Sequence, residues 1–500
     1  MSFKSLLAKI FARKVARKIY NYHQQPYETQ TNVFHNLISA ASHTQFGKNH
    51  DFSEIRTYED FRKNVPLFDY EKLKPYIEKI IAGENDVLWP GKPIYFCKTS
   101  GTTSGTKYIP ITSESIKNQI NAARNALLLY INETQNSKFV NGKMIFLQGS
   151  PKLTDTNGIP TGRLSGIVAH HVPSYLQKNR LPSYETNCIE DWETKVDAIV
   201  KETVNENMTL ISGIPPWVQM YFDKLLEHSG KKTIGDLFPN FELFVYGGVN
   251  FEPYRSYFEK TIGKKIAGIE TYPASEGFIA YQDSQVNKGL LLNIHDGIFY
   301  EFIEAEKYLA GNYERISVKD IELNKNYVIV LNTNAGLWGY VIGDTVKFVS
   351  KKPLRLIVTG RIKHFISAFG EHVIAEEVDY VMEQAIKKFG LAVTEYHVAP
   401  QVNPPNQEPP FHEWFIEFAE IPENISEIAA FMDNILQQKN SYYKDLRKGK
   451  MLQNLKISTV KKDAFKNYMK SQGKLGGQHK VPRLTNDRKF AEGLKTYLKK

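Results

Sequence analysis

The stretch Lys98-Thr99-Ser100-Gly101-Thr102-Thr103-Ser104-Gly105-Thr106-Lys107 follows directly on Pro93-Ile94-Tyr95-Phe96-Cys97. The apolar run reads as a short buried strand. From Ser115 onward, Ile116, Ile120, Ala123 and Leu127 follow helical spacing. Strand, glycine-rich turn and helix in succession point to an α/β architecture. Gly101 and Gly105 permit left-handed backbone and close approach, so successive N–H groups can turn towards one anion. Ser100, Thr102 and Thr103 add hydroxyl donors, and Lys107 adds a cation. No Lys-Ser/Thr pair follows the second glycine at Walker spacing, so this is not a P-loop. The competing reading is a solvent-exposed Ser/Gly linker, which would not normally sit directly behind a buried strand.

Outward from this loop the same alternation continues. Met144 to Leu147, Leu210-Ile211 and Leu243 to Tyr246 read as further buried strands, each followed by Gly or Pro turns. From Ile298 to Val349 the pattern changes to short strands with few helices, which predicts a smaller β-rich subdomain. After Gly360-Arg361 the chain restarts. Helices are expected over Glu377–Phe389, Ser426–Gln438 and Ala464–Met469, and strands over Leu391–Val398, Phe411–Phe418 and Leu452–Val460. The expected organisation is therefore a large α/β domain over residues 1–360 and a small α+β domain over 361–500.

Composition narrows the class. The chain has 500 residues, 42% hydrophobic and 24% charged, the profile of a globular protein. No apolar run reaches the roughly 18 residues of a membrane span. Cys97 and Cys188 are the only cysteines, too few for a disulfide framework or a metal cluster, and a reducing cytoplasm is the expected location. Net charge is +10, and residues 441–500 carry 17 Lys and Arg against 4 Asp and Glu. That segment suits a nucleic-acid surface, a cover over a polyanionic small molecule, or a plain solvated face. Its aromatics, Tyr442, Tyr443, Phe465, Tyr468, Phe490 and Tyr497, fall mostly at helical spacing, which favours core packing over base stacking. Residues Ser2–Tyr22 form an amphipathic pattern with six Lys/Arg among the first twenty positions and no acid. It reads as a helix packed on the large domain, with weak contact to a membrane surface as the alternative.

Four further clusters carry chemistry. Tyr272-Pro273-Ala274-Ser275-Glu276 sets an aromatic, a hydroxyl and a carboxylate within five residues, able to stack a purine, bond a phosphate oxygen and hold Mg²⁺. Gly343-Asp344 puts one carboxylate behind a glycine, where it can accept both hydroxyls of a ribose or close an ordinary turn. Gly360-Arg361-Ile362-Lys363 precedes Gly370 and Glu377. Gln478-His479-Lys480-Val481-Pro482-Arg483 places a lysine behind two glycines.

In this order and spacing the clusters resemble the adenylate-forming superfamily, and most closely the acyl acid–amido synthetases of the Gretchen Hagen family. The resemblance covers essentially the whole chain. It implies that Ser100, Gly101, Thr102, Thr103 and Lys107 lie near the phosphates of ATP. It implies adenine stacking by Tyr272, an α-phosphate contact from Ser275, Mg²⁺ at Glu276, and Gly247 and Gly248 bordering the adenine. Asp344 would reach the ribose, Arg361 the ribose or a phosphate, Lys363 would be the hinge, and Lys480 the catalytic lysine. Pro273 and Val341 depart from the family pattern, the second replacing an arginine. The implied reaction is ATP-dependent: a carboxylic acid is converted to its acyl-adenylate, and the acyl group passes to an amine, such as that of an amino acid. A thioester ligase using coenzyme A and a catalytically silent binding protein of the same fold are the alternatives; nucleic acid is not an expected partner. His170-His171 reads either as a carboxylate contact or as two surface histidines.

Overall fold

The computed structural model describes residues 3–102, 105–172, 177–248, 251, 255–361, 365–366, 368–371, 373–405, 408–472, 481–482 and 484–499. Its strands are, in chain order, β1 (Tyr95–Thr102), β2 (Gly105–Ile111), β3 (Lys143–Phe146), β4 (Thr154–Thr156), β5 (Ile159–Gly162), β6 (Arg180–Leu181) and β7 (Met208–Ser212). Then come β8 (Leu243–Gly247), β9 (Ala267–Ala274), β10 (Gly277–Tyr281), β11 (Leu290–Leu292), β12 (Ile298–Glu304), β13 (Asn326–Thr333), β14 (Tyr340–Lys351) and β15 (Leu354–Arg361). The last are β16 (Phe365–Ile366), β17 (Val373–Ile374), β18 (Val393–Gln401), β19 (Phe411–Phe418) and β20 (Lys456–Thr459).

One sheet of eleven strands, in the order β12-β13-β14-β15-β11-β10-β9-β8-β7-β3-β6, dominates the molecule. From β6 to β9 neighbouring strands run parallel, and from β9 to β12 every pairing is antiparallel. The parallel strands are covered on both faces, as such strands require. Leu210, Leu243 and Ile269 pack beneath the helices Phe3–Gln24 and Ser113–Thr134. Their neighbours Ile211 and Phe244 face the opposite way, into a core with the helices Trp192–Thr203 and Pro215–Ser229.

The expected β-rich region exists, yet it has no sheet of its own. Leu290 and Leu291 of β11 lie opposite Leu356 and Arg355 of β15, and this pairing joins the antiparallel strands to the parallel ones. β13 is buried along seven consecutive residues, Tyr327–Thr333, so it is interior on both faces.

β18, β19 and β20 form a separate three-stranded sheet, flanked by the helices Ala375–Phe389 and Ile425–Lys439. Its core is continuous with that of the large domain: Val378, Val381, Trp414 and Leu436 belong to the same apolar cluster as Ile145, Ile211 and Val218. The basic segment's aromatics Tyr443 and Phe465 are buried. The fold is thus α/β, with a large N-terminal domain and a small α+β C-terminal one. No helix among the described residues is long and apolar enough to cross a membrane. The N-terminal helix packs through Ala12, Ala16 and Ile19 and leaves Leu6, Leu7 and Ile10 exposed.

Candidate functional site

The hydroxyl-rich loop is the tip of a hairpin. Sequence reading places the loop between a strand and a helix that starts near Ser115; between them Gly105–Ile111 returns as β2, with Thr99 opposite Lys107 and Thr102 opposite Gly105. β2 is the edge of a four-stranded sheet, β2-β1-β5-β4, a position that tolerates Pro110. The expected helix is present and begins at Ser113, where Thr112 and Ser115 form a capping box. Ser100, Gly101 and Thr102 close β1, whereas Thr103 lies outside the described residues. The Lys107 ammonium stands 5.6 Å from the Tyr70 ring centre.

The hairpin's stem meets the acidic turn. Cys97 Sγ donates to Ser275 Oγ at 3.1 Å, which fixes the β9–β10 turn against β1. Glu276 occupies that turn, beside Gly277, which pairs with Ala274. Burial, offset by the Ser275 hydrogen bond and reinforced by the Glu276 charge, pushes the Cys97 thiol up to about 12. The helix Ser113–Thr134 helps hold the turn, because Gln119 Nε2 donates to Ala274 O at 2.9 Å.

Three residues earlier on the same segment, the Tyr272 hydroxyl donates to Asp344 Oδ2 at 2.5 Å. Asp344 in turn lies directly opposite Arg361 across the β14–β15 ladder, and it is only 6% exposed. On the other side of β9, Gly247 is level with Thr271. A Cβ at Gly247 would stand 2.2 Å from the Thr271 carbonyl oxygen, so only glycine lets β8 end this close to the Tyr272 backbone. Gly248 follows with φ +80°, the left-handed turn that a glycine permits. The hairpin stem, Ser275, Glu276, Tyr272, Asp344, Arg361 and Gly247 thus form one connected wall.

Lys363 and Lys480 lie outside the described residues. His170 and His171 are both engaged elsewhere, with Pro151 O at 2.8 Å and the Tyr95 hydroxyl at 3.1 Å. No group of three or more metal-ligating side chains occurs among the described residues. A lone carboxylate such as Glu276 suits an ion that draws its remaining ligands from phosphate and water, as Mg²⁺ does.

Residues missed from the sequence tie the C-terminal domain to the hairpin. Arg163, just past β5, bonds Asp445 at 2.5 Å and lies 4.7 Å from the Tyr442 ring centre. Burial raises the Tyr442 phenol above its ordinary value, while Arg163 and a hydrogen bond with Thr99 oppose the shift. Nothing local announces this contact, since 282 positions separate Arg163 from Asp445.

Comparison with known proteins gives the family. The chain matches the GH3 family N-terminal domain over residues 15–183 and 164–266, the central domain over 291–361 and the C-terminal domain over 376–489. Among curated relatives, a jasmonoyl–L-amino acid synthetase (JAR4) of Nicotiana attenuata is 23% identical over 57% of this chain and 60% of its own length. An indole-3-acetic acid-amido synthetase (GH3.3) of Arabidopsis thaliana is 21% identical over 91% of this chain and 88% of its own. The chain covers 60% to 62% of the first three curated relatives it matches. Among solved structures, the GH3.15 acyl acid amido synthetase in complex with 2,4-DB superimposes with a TM-score of 0.63 at 16% identity, over 98% of this chain and 96% of that one. With three family domains matched in order along most of its length, this chain belongs to the GH3 family.

Proposed function

We propose that the protein is an ATP-dependent acyl acid amido synthetase, working in two steps. In the first, a carboxylate oxygen of the acid attacks the α-phosphorus of ATP, an acyl–phosphate bond forms, and pyrophosphate leaves. In the second, an amine attacks the acyl carbon, AMP departs with the C–O bond pair, and one proton is released. Amino acids are the acceptor class, as the names of the curated relatives suggest. The observation that carries this reading is the connected wall from the hydroxyl-rich hairpin through Ser275 and Glu276 to Tyr272, Asp344 and Arg361.

Each part has a task. The turn N–H groups with Ser100, Gly101, Thr102, Thr103 and Lys107 receive the phosphates. Tyr272, Gly247 and Gly248 border the adenine. Asp344 exchanges its bond from Tyr272 for bonds from ribose hydroxyls, with Arg361 beside it. Ser275 meets the α-phosphate, and Glu276 would hold Mg²⁺, which supplies charge neutralisation at the phosphates. Lys480 adds a cation where charge develops as pyrophosphate departs. Residues 1–360 would form the large domain and 361–500 the unit that turns about Lys363 between the steps, in a cytoplasmic enzyme.

ATP–pyrophosphate exchange against a panel of carboxylic acids tests the first step. Mass detection of amides formed from an amino-acid panel then tests the second. Acid-dependent exchange followed by amide formation is expected. Exchange that leads to a thioester with coenzyme A and to no amide would redirect the reading to a thioester ligase. Absence of exchange with every acid would leave a silent binding protein.

A further inference from the structure

Between the C-terminal ends of the parallel strands and the helix Ser441–Lys448 lies a cavity of about 830 Å³. It opens beside Thr99 and Thr106 of the hairpin, and seven Lys or Arg against four Asp or Glu line it. Crevices outside the carboxyl ends of parallel strands are where α/β sheets take ligands.

Lys195 differs from the other cations of this cavity. It is 1% exposed, and its ammonium donates to the carbonyls of Gln148 at 3.0 Å and Asn187 at 2.7 Å. An ammonium has three donors; these carbonyls take two, and the cation also stands 5.6 Å from the centre of the Trp192 ring, so no anion among the described residues meets the third. Among the described residues no carboxylate forms an ion pair with it. Burial lowers its pKa to about 8, which still leaves it charged at neutral pH. A buried cation without an anion is costly unless a ligand brings one. Three further donors are buried without a partner on neighbouring residues: Gln148 Nε2 and the indole N–H groups of Trp192 and Trp217. The two indole rings stand 4.6 Å apart, and with Ile189 and Met451 they give the cavity an apolar wall.

Donors without acceptors, one fixed positive charge and an apolar wall describe a receptor for a carboxylate that carries an apolar substituent. Pyrophosphate has no apolar part. The acid being activated does not fit either, because anchoring its carboxylate at Lys195 would withhold the reacting group from the α-phosphorus near Ser275. The acceptor's carboxylate, by contrast, takes no part in the chemistry and needs only to be held. We propose that this cavity is the acceptor site, in which Lys195, assisted by the indole N–H groups of Trp192 and Trp217, binds the α-carboxylate of an amino acid with an apolar side chain. The inference rests on the amido-synthetase reading.

The experiment compares two half-reactions in Lys195→Met, Lys195→Arg and Trp217→Phe. Amide formation is followed against the concentration of an apolar amino acid and of its primary carboxamide, and exchange is measured with acid alone. One charge-assisted hydrogen bond is worth about tenfold or more in affinity. Lys195→Met is therefore expected to raise the amino-acid KM at least about tenfold, to lower amide formation far more than exchange, and to abolish the preference for the acid over the carboxamide. Lys195→Arg should restore part of that preference. An undiminished preference in Lys195→Met, or none in the parent protein, overturns the assignment. Equal losses in exchange and amide formation overturn it as well, because Lys195 would then serve adenylation. Should Lys195→Met not fold, Trp217→Phe keeps the ring and removes one donor. A severalfold rise in KM supports the site, and an unchanged KM rejects it. A parent protein with no exchange for any acid would fail the ligase reading itself, before the acceptor site is addressed.

Discussion

The two halves of the eleven-stranded sheet obey different rules. Between β6 and β9 the strands are parallel, so β3, β7 and β8 all end on one edge. The segments that leave those ends, Leu147 to Ser150, Gly213 to Trp217 and Gly247-Gly248, collect there. Between β9 and β12 the strands alternate, and only some of their ends reach that edge. The antiparallel half brings to it Ser275 and Glu276 on the β9–β10 turn, and Asp344 and Arg361 as one cross-strand pair. The rest of it, including β13 with its seven buried residues, is core. Direction of pairing thus divides the labour: parallel strands gather loops, and antiparallel strands supply a rigid back.

That division can be attacked experimentally. The largest effect is expected for Phe348→Ala. Phe348 is fully buried against Phe302, and removing it should cost about 3–5 kcal/mol of stability in urea unfolding. Its folded fraction should bind ATP as the parent does; altered affinity would mean that the antiparallel half shapes the site beyond its turn and the Asp344–Arg361 pair. Next, Asp344→Ala should weaken ATP binding about 10- to 100-fold by calorimetry, the loss of charge-assisted bonds to the ribose. An unchanged dissociation constant would break the ribose assignment.

Smaller still, Arg163→Met removes a partly exposed ion pair and its contact with Tyr442, at most about 1 kcal/mol. Faster proteolysis between the domains, with little change in global unfolding, is the expected readout. The last effect is confined to alkaline pH and is absent at neutrality. The Cys97 thiol is pushed up to about 12 in the fold, against 9.0 for an ordinary thiol. Between those values the unfolded chain has released a proton that the folded one retains. Stability should therefore fall as pH rises from 9 towards 12, by roughly 1 kcal/mol per unit at most. At neutral pH, iodoacetamide should modify Cys188 and spare Cys97; prompt reaction at Cys97 would mean that the hairpin stem opens.

Reading from sequence succeeded where a signal is local. Phe411–Phe418 is a strand between the same residues as expected, and the expected helix Ser426–Gln438 lies inside Ile425–Lys439. It failed where the decisive partner is remote. Tyr108-Ile109-Pro110-Ile111 is given no element by sequence reading, and its strand character comes from pairing with β1 at a sheet edge, where Pro110 is tolerated. The expected β-rich region is present, but how it attaches was not legible: Leu290 meets Leu356 across 66 positions, and no periodicity encodes such a partner. In the site, motif order brought out Tyr272, Asp344 and Arg361; Tyr272 bonds Asp344, and Arg361 pairs with it across the ladder. Lys195, inside an ordinary amphipathic helix pattern, gave no sign of its buried ammonium.

The apolar cluster that runs from Ile211 and Val218 into Val378 and Trp414 has a thermal consequence. Any rotation of the C-terminal domain must wet part of this seam, so the step would carry a positive heat-capacity change, as a small unfolding event does. Hydrophobic cohesion weakens on cooling, and the balance between docked and rotated arrangements would accordingly drift with temperature along a curve and not a line.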